Sequence, residues 1–245
     1  MAMKVIYEPK GRAKEYADLA CNDYFGCPHG CVYCFAPSVM RSDRDKYHSE
    51  VKPREEMIRK WFEHDCIELE KKHDTRRIHL NFISDPYPEL EKEIHLTRFC
   101  IETAMNHGVG INILTKGKFD TVSPDMGLFK EASVHFGVSC CWNTDSIRSE
   151  WEPNASTVDD RRKLLMAAHE RGIFTWVSME PVVYPNEAME FYRNNKQYVD
   201  LWKVGKLNYH PHTKEVDWCR FRACFEYEAG KYGSRYILKK DLLDA

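Results

Sequence analysis

The sequence predicts an α/β fold, a partial (β/α)6 barrel of the TIM type with a small C-terminal cap. Two observations predict it: short runs of strand periodicity alternate with longer runs of helical periodicity, and no Gly/Ser-rich linker interrupts them. Such alternation is typical of parallel β-structure, which right-handed crossovers curl into a barrel or an open doubly wound sheet. We expect one domain, with the barrel and an N-terminal extension in residues 1–205 and the cap in residues 206–245.

Each predicted element has a local signal in the sequence. Ile78, Leu80 and Phe82 alternate with polar residues as in a strand, and Gly108 and Gly172 end helical runs. A capping box from Ser156 to Asp159 is expected to open one helix. The predicted strands lie near 19–22, 76–82, 110–116, 134–140, 173–180 and 198–206, and the predicted helices at 54–73, 89–108, 124–132, 156–172 and 185–195.

Composition restricts the class of protein. The 245 residues are 43% hydrophobic, without an apolar run as long as a membrane span or a secretory signal, so a cytoplasmic monomer is expected. The ten cysteines then point to metal binding, catalysis or burial rather than to a disulfide framework. The formal net charge of −2 lacks the basic signature of tight non-specific nucleic-acid binding.

Three of the cysteines stand in a C-x3-C-x2-C pattern: Cys27, Cys31 and Cys34, in a loop rich in glycine and proline directly after the first predicted strand. Burial as small hydrophobes is one interpretation, although a glycine-rich loop is a poor place for a core. A zinc site is a second, with His29 as a local fourth ligand. A third is a [4Fe–4S] cluster held by three thiolates, whose open iron leaves a position for a co-substrate.

The stretch "YFGCPHGCVYCFAP" resembles the radical S-adenosylmethionine (SAM) superfamily. That resemblance implies a [4Fe–4S] cluster on Cys27, Cys31 and Cys34, with SAM bound at the fourth iron. It further implies reductive cleavage of SAM to a 5′-deoxyadenosyl radical, which abstracts hydrogen from a substrate. An external electron donor of the flavodoxin or ferredoxin type is expected with it.

The longer pattern is similar to the spore photoproduct lyase-like branch. "ISDPYPELEKEIHLTR", "ILTKG", "VSCCW", "WEPNAST" and "VSMEPVVYP" fall in the order of that branch. The resemblance implies that Ser84 and Asp85 contact the amino end of SAM and that Lys116 faces its carboxylate. It places Ser139 near the ribose and the backbone of Tyr33 at the adenine.

One departure from the branch concerns the hydrogen donor. Phe82 stands where spore photoproduct lyase carries the cysteine that returns a hydrogen atom, so the DNA-repair mechanism does not transfer. Residues 206–245 also leave little chain for a duplex-binding surface. Cys141, which follows a predicted strand end beside Cys140, is a candidate catalytic thiol, and burial beside the barrel is its alternative.

The expected substrate is a nucleic acid or nucleotide, with a peptide or small metabolite as the alternative. Basic residues alternate with aromatic ones after position 206, a combination that can hold phosphate and stack a base, although acidic residues intervene. A different class of function stays open as well. The chain could be a non-catalytic zinc or iron–sulfur binding module.

Overall fold

A computed structural model describes residues 3–245, and a seven-stranded parallel sheet is its centre, in the order β1-β4-β5-β6-β7-β8-β9. A separate antiparallel pair, β2 and β3, lies beside the first strand. The strands are β1 (Leu19–Cys21), β2 (Tyr24–Phe25), β3 (Lys52–Pro53), β4 (Ile78–Leu80), β5 (Ile111–Thr115), β6 (His135–Ser139), β7 (Thr175–Val182), β8 (Leu201–Lys206) and β9 (Tyr236–Leu238).

Helices connect successive strands of the parallel sheet, as right-handed crossovers require. The helices are α1 (Ala36–Val39), α2 (Arg44–Ser49), α3 (Glu55–Lys71), α4 (Glu91–Ile94), α5 (Leu96–Asn106), α6 (Phe119–Val122), α7 (Met126–Glu131), α8 (Asp145–Trp151), α9 (Val158–Glu170), α10 (Pro185–Asn195), α11 (Trp218–Tyr232) and α12 (Lys240–Leu243). Within residues 3–245 no helix combines the length and the apolar character needed to cross a membrane.

The two faces of the sheet differ in polarity. Ile111 and Ile113 belong to the hydrophobic core that the strands share with the helices, and neighbouring strands repeat this pattern. The opposite face turns inward, where a Cβ on Gly137 would lie 2.4 Å from the Trp176 ring and one on Gly205 would lie 2.7 Å from Glu180. Two glycines therefore make room for larger side chains inside the sheet. We call this inner space the lumen.

The α/β partial barrel that the sequence predicts is confirmed, and the sheet has one strand more than the six βα units. β9 comes from the segment predicted as the cap, and it pairs in parallel with β8, Trp202 opposite Tyr236 and Val204 opposite Leu238. Its three residues are only partly buried, with Ile237 45% exposed, so the run carries no clear strand periodicity.

Two helix boundaries differ from the prediction for local reasons. The predicted helix 89–108 breaks at His95, which has a left-handed φ of 52°, and the Glu91 carboxylate accepts the amides of Leu96 (3.0 Å) and Arg98 (3.1 Å). The predicted capping box at Ser156 is wrong by one residue, because the Thr157 side chain accepts the Asp160 amide at 3.0 Å. The helix α8 was not predicted.

Candidate functional site

The three-cysteine loop lies between β2 and α1, at the carboxyl edge of the parallel sheet. Side chains of α2 hold its backbone. The Arg44 guanidinium donates to the carbonyl oxygens of Cys31 and Cys34 (3.3 Å to the latter), and His48 Nδ1 lies 2.8 Å from the Cys27 carbonyl oxygen. All three thiols are free, Cys31 buried and the other two partly exposed. The loop is therefore fixed through its carbonyls while its thiols stay available.

Glycine is required where the loop turns. Gly26 has a φ of 77°, and a Cβ there would lie 2.3 Å from the Glu50 carbonyl oxygen, far inside van der Waals contact. Gly30 also has a left-handed φ, 66°, next to the Asn154 side chain. The backbone amide of Asn154 donates to the His29 carbonyl oxygen at 3.1 Å, which ties this part of the loop to the segment after α8. Glycines at these two points let the loop pack closely on its neighbours.

Asp85 connects the cysteine loop to the end of β5. Each of its oxygens accepts two hydrogen bonds: Oδ1 from Thr115 Oγ1 (2.5 Å) and the Tyr87 amide (2.9 Å), Oδ2 from the Lys116 amide (2.7 Å) and His29 Nε2 (3.0 Å). Burial alone would raise the pKa of this carboxyl, but the contact with His29 and the other hydrogen bonds keep it below its ordinary value. The Asp85 carboxylate is thus ionised and engaged by the chain itself.

The two serines of the predicted site lie on the same edge of the sheet, Ser84 in the loop after β4 and Ser139 at the end of β6. Ser84 Oγ donates to the Gly26 carbonyl oxygen, directly before Cys27. Ser139 is the last residue of β6 and is 7% exposed, and its carbonyl oxygen accepts Arg161 Nη1 at 2.9 Å. Ser84 therefore contacts the loop itself. Ser139 lies on β6, two strands from β4 in the sheet, on the face that bears Gly137.

Glu152 is a fully buried anion at the centre of the site, 1% exposed. It accepts hydrogen bonds from Tyr33 Oη and from Trp142 Nε1 (3.0 Å), it pairs with Arg161 Nη2 at 2.5 Å, and Lys116 Nζ lies 3.9 Å away. Burial raises the pKa of its carboxyl, but the nearby guanidinium and ammonium outweigh burial and lower that pKa to about 2. Glu152 therefore stays ionised and holds two cations and Tyr33 together.

Lys116 brings a positive charge to the cysteine loop. Its Nζ lies 5.4 Å from the centre of the Tyr33 ring, and its side chain is 16% exposed. Burial would lower the pKa of this ammonium, but Cys31 and Glu152 raise it above its ordinary value. Burial raises the pKa of the Cys31 thiol to about 11 although Lys116 opposes that change. Among the three loop thiols, Cys31 is the one on which the Lys116 charge acts most strongly.

The donor set fits a [4Fe–4S] cluster better than a single ion. Within the described residues no three His, Cys, Asp or Glu side chains converge closely enough to hold one metal ion. In a cubane each thiolate binds a different iron, so its three sulfurs need only surround a common volume. His29, the local candidate for a fourth zinc ligand, has its Nε2 on Asp85, while its Nδ1 is buried without a hydrogen-bond partner among the described residues. Three free thiols, a fixed backbone and a neighbouring ammonium suit an anionic cluster of this kind.

Sequence reasoning missed the residues that organise the site. "WEPNAST" contains Glu152, and its position next to a proline was the available signal, but no role followed from it. Arg161 gave no signal, since it reads as one of several charged residues on a helix. Cys141, the candidate catalytic thiol, is 2% exposed, and its Sγ donates to the Pro181 carbonyl oxygen at 2.9 Å. Burial raises the pKa of that thiol well above its ordinary value.

Comparison with solved structures places this geometry in a known fold. A double mutant of spore photoproduct lyase, with bound S-adenosylmethionine and dinucleoside spore photoproduct, superposes with a TM-score of 0.66 at 14% identity, over 86% of this chain and 63% of that one. The chain has the fold of spore photoproduct lyase. SuiB of Streptococcus suis, bound to S-adenosylmethionine, superposes with a TM-score of 0.63 at 14% identity, over 89% of this chain and 49% of that one.

A comparison of sequences gives one curated relative but no matching family. An uncharacterized protein of Methanocaldococcus jannaschii is 28% identical over 164 residues, which is 66% of this chain and 59% of that protein. No family model matches the sequence. The chain spans about three fifths of the length of this relative and of the lyase.

Proposed function

We propose that the protein is a radical SAM enzyme whose Cys27, Cys31 and Cys34 hold a [4Fe–4S] cluster with one open iron for SAM. The observation that carries the proposal is that three free thiols in a fixed loop lie on the same edge of the sheet as the Lys116 ammonium. The loop follows β1 and β2, and Lys116 directly follows β5, which is two strands from β1 in the sheet. When bound, the reduced cluster and SAM supply a 5′-deoxyadenosyl radical that abstracts hydrogen from the substrate.

The chain's own residues bind and orient the cofactor in this proposal. Lys116 attracts the SAM carboxylate, and Glu152 keeps Lys116 and Tyr33 in place, so the Tyr33 backbone is presented to the adenine. Ser84 contributes to the amino end of SAM. Asp85 acts there chiefly by holding His29 and the cysteine loop, because its oxygens are already used by the chain. Ser139 is assigned to the ribose.

The proposed substrate is a nucleic acid or nucleotide. The lyase neighbour was solved with a dinucleoside spore photoproduct, whereas SuiB was also solved with its precursor peptide. On this chain the Tyr209 ring is 92% exposed, with the Arg12 guanidinium 5.2 Å from its centre, a pairing that suits base stacking beside a phosphate. An external flavodoxin or ferredoxin would deliver the electron, and Cys141 stays a candidate for a hydrogen-transferring thiol.

The test is release of 5′-deoxyadenosine. Anaerobically reconstituted and reduced protein, incubated with SAM, should release it, and a nucleic acid or nucleotide substrate should increase the rate. A peptide that increases the rate instead would redirect the substrate class. Protein that binds iron and sulfide yet releases no 5′-deoxyadenosine with any substrate class would contradict the enzyme and favour a binding module.

A further inference from the structure

The partial barrel is open between its edge strands β1 and β9, and the N-terminal segment 11–16 crosses this opening. Upstream, Tyr7 forms an isolated antiparallel bridge with Ala20 of β1. On the other side, the Lys240 amide donates to Glu15 Oε2 at 3.4 Å, and Arg12 pairs with Asp241 at 2.9 Å. We call segment 11–16 the strap. Its ion pair is exposed, and exposed ion pairs contribute little stability.

The strap puts one aromatic ring into the lumen. The Tyr16 ring lies 6.2 Å from both His79 and Phe82, and 6.3 Å from Trp176, measured between ring centres. Its hydroxyl lies 2.8 Å from Ser178 Oγ and also donates to a carboxylate of β7, that of Glu180. Phe82, which stands at the position of the hydrogen-returning cysteine in spore photoproduct lyase, thus faces the same space as Tyr16.

Two buried lysines face that ring. Lys239 Nζ lies 3.4 Å and Lys203 Nζ 5.2 Å from the centre of Tyr16, and the two residues are 4% and 8% exposed. Lys203 donates to the Tyr16 carbonyl oxygen at 2.9 Å, whereas Lys239 Nζ has no hydrogen-bond acceptor among the described residues. The nearest carboxylate oxygen that pairs with Lys239 is Glu15 Oε2, at 3.9 Å.

The ammonium groups are poorly compensated where they lie. Burial and, to a smaller extent, the Lys239 charge lower the pKa of Lys203 to about 8 although Glu180 opposes them, which means that the lumen disfavours the two positive charges. Glu180 is a partly buried carboxylate in this space, and it already accepts a hydrogen bond from the Tyr16 hydroxyl. His79 Nδ1 is a second buried polar atom without a hydrogen-bond partner among residues 3–245. Buried polar groups without partners are costly unless a ligand satisfies them.

We propose that the lumen behind the strap binds an anionic group of the substrate, a carboxylate or a phosphate, between Lys203 and Lys239. Lysine ammoniums are compact point charges that suit either anion. The Tyr16 ring now occupies this place and would move aside with the strap. Because Phe82 adjoins the same space, an anion held there would anchor a substrate whose reacting part lies nearer the cysteine loop. Calling the ligand a substrate rests on the proposed radical SAM function, but the anion site itself does not.

The experiment measures binding of inorganic phosphate and of acetate by calorimetry, each against chloride at equal ionic strength, with protein that carries no cluster and no SAM. At least one anion should bind, Lys203→Met and Lys239→Met should each weaken it at least tenfold, and Lys240→Met, on the exposed neighbour, should not. Tyr16→Ala should strengthen binding by clearing the space. Circular dichroism confirms that each variant is folded. If one of the two lysine variants does not fold, the other still tests the site.

The result identifies the ligand class independently of catalysis. Phosphate binding alone indicates a phosphorylated substrate, and acetate binding alone indicates a carboxylate. Binding no better than chloride, or equal binding by the wild type and both lysine variants, would overturn the site. A failed cluster assembly or an absence of 5′-deoxyadenosine would leave this measurement unaffected, so the two proposals fail separately.

Discussion

At the scale of single residues, the proposed contact between Lys116 and SAM can be measured by binding. Lys116→Ala should weaken SAM binding to the reconstituted protein by about 1.5 to 3 kcal/mol, the range for a hydrogen bond to a charged group. The matched control is Lys118→Ala, two positions away on an exposed side chain that pairs with Glu89. Equilibrium binding of SAM checks the expectation. An unchanged dissociation constant in Lys116→Ala would remove the residue from the site.

Glu152 is the residue whose loss should cost the most stability. Glu152→Gln keeps the shape but leaves Arg161, which is fully buried, without its counter-charge. Removing one partner of a buried ion pair typically costs about 3 to 5 kcal/mol, and we expect a loss of that order in the free energy of unfolding. Denaturant titration measures it, with Glu150→Gln on the exposed side of α8 as the control. Equal losses in the two variants would show that Glu152 is not a structural hub.

At the scale of elements, the cysteine loop depends on its glycine turn. Gly26→Ala should destabilise the protein by at least about 1 to 3 kcal/mol, the cost of a strained backbone, and more because the new Cβ meets the Glu50 carbonyl. Gly108→Ala is the control: its φ is 65°, with no atom within 4 Å of a Cβ. Unfolding free energies should differ between them. Iron content should fall in Gly26→Ala only, and a normal content there would argue against a rigid loop.

The elements also show what the sequence could predict. The long helix α3 and the strand β5 follow the periodicity of their apolar residues, because each buries one clear face. In β6 and β8 apolar residues alternate with polar residues or glycine although both faces are buried. The positions where helices break or begin depended on single hydrogen bonds, such as those that Glu91 accepts at the start of α5. The periodicity of apolar residues carries no information about such bonds. β9 was missed because three partly exposed residues carry too little pattern, and only the edge of β8 makes them a strand.

The functional site was likewise predictable from the sequence only in part. Cysteine spacing and the order of the strand-end motifs place the cysteine loop, Ser84 and Lys116 on one edge of the sheet. The role of Asp85 as a connector appears only when four donors from three segments meet it. The lumen lysines, Lys203 and Lys239, come from distant positions and could not be paired from sequence. Their proximity depends on β9 closing onto β8.

At the scale of the whole molecule, the fold is that of spore photoproduct lyase, but we do not expect its reaction. Phe82 lies against His79, at 4.4 Å between ring centres, at the position where the sequence resemblance implies a hydrogen-returning cysteine in the lyase, and a phenyl ring has no weakly bound hydrogen to give. Reconstituted, reduced protein should therefore release 5′-deoxyadenosine without restoring thymines from the dinucleoside lesion. Chromatography of the products checks this. Multiple-turnover repair would mean that another residue, such as Cys141, supplies the hydrogen.

The most direct test of the central claim counts iron and sulfide on the three-cysteine loop. After anaerobic reconstitution the wild type should hold one [4Fe–4S] cluster, and the combined variant Cys27→Ala, Cys31→Ala and Cys34→Ala should hold none. The double variant Cys219→Ala and Cys224→Ala, which removes two exposed thiols on α11, should retain the cluster in full. Circular dichroism establishes that both variants are folded. Iron, sulfide and visible absorbance kept by the folded triple variant would contradict the account.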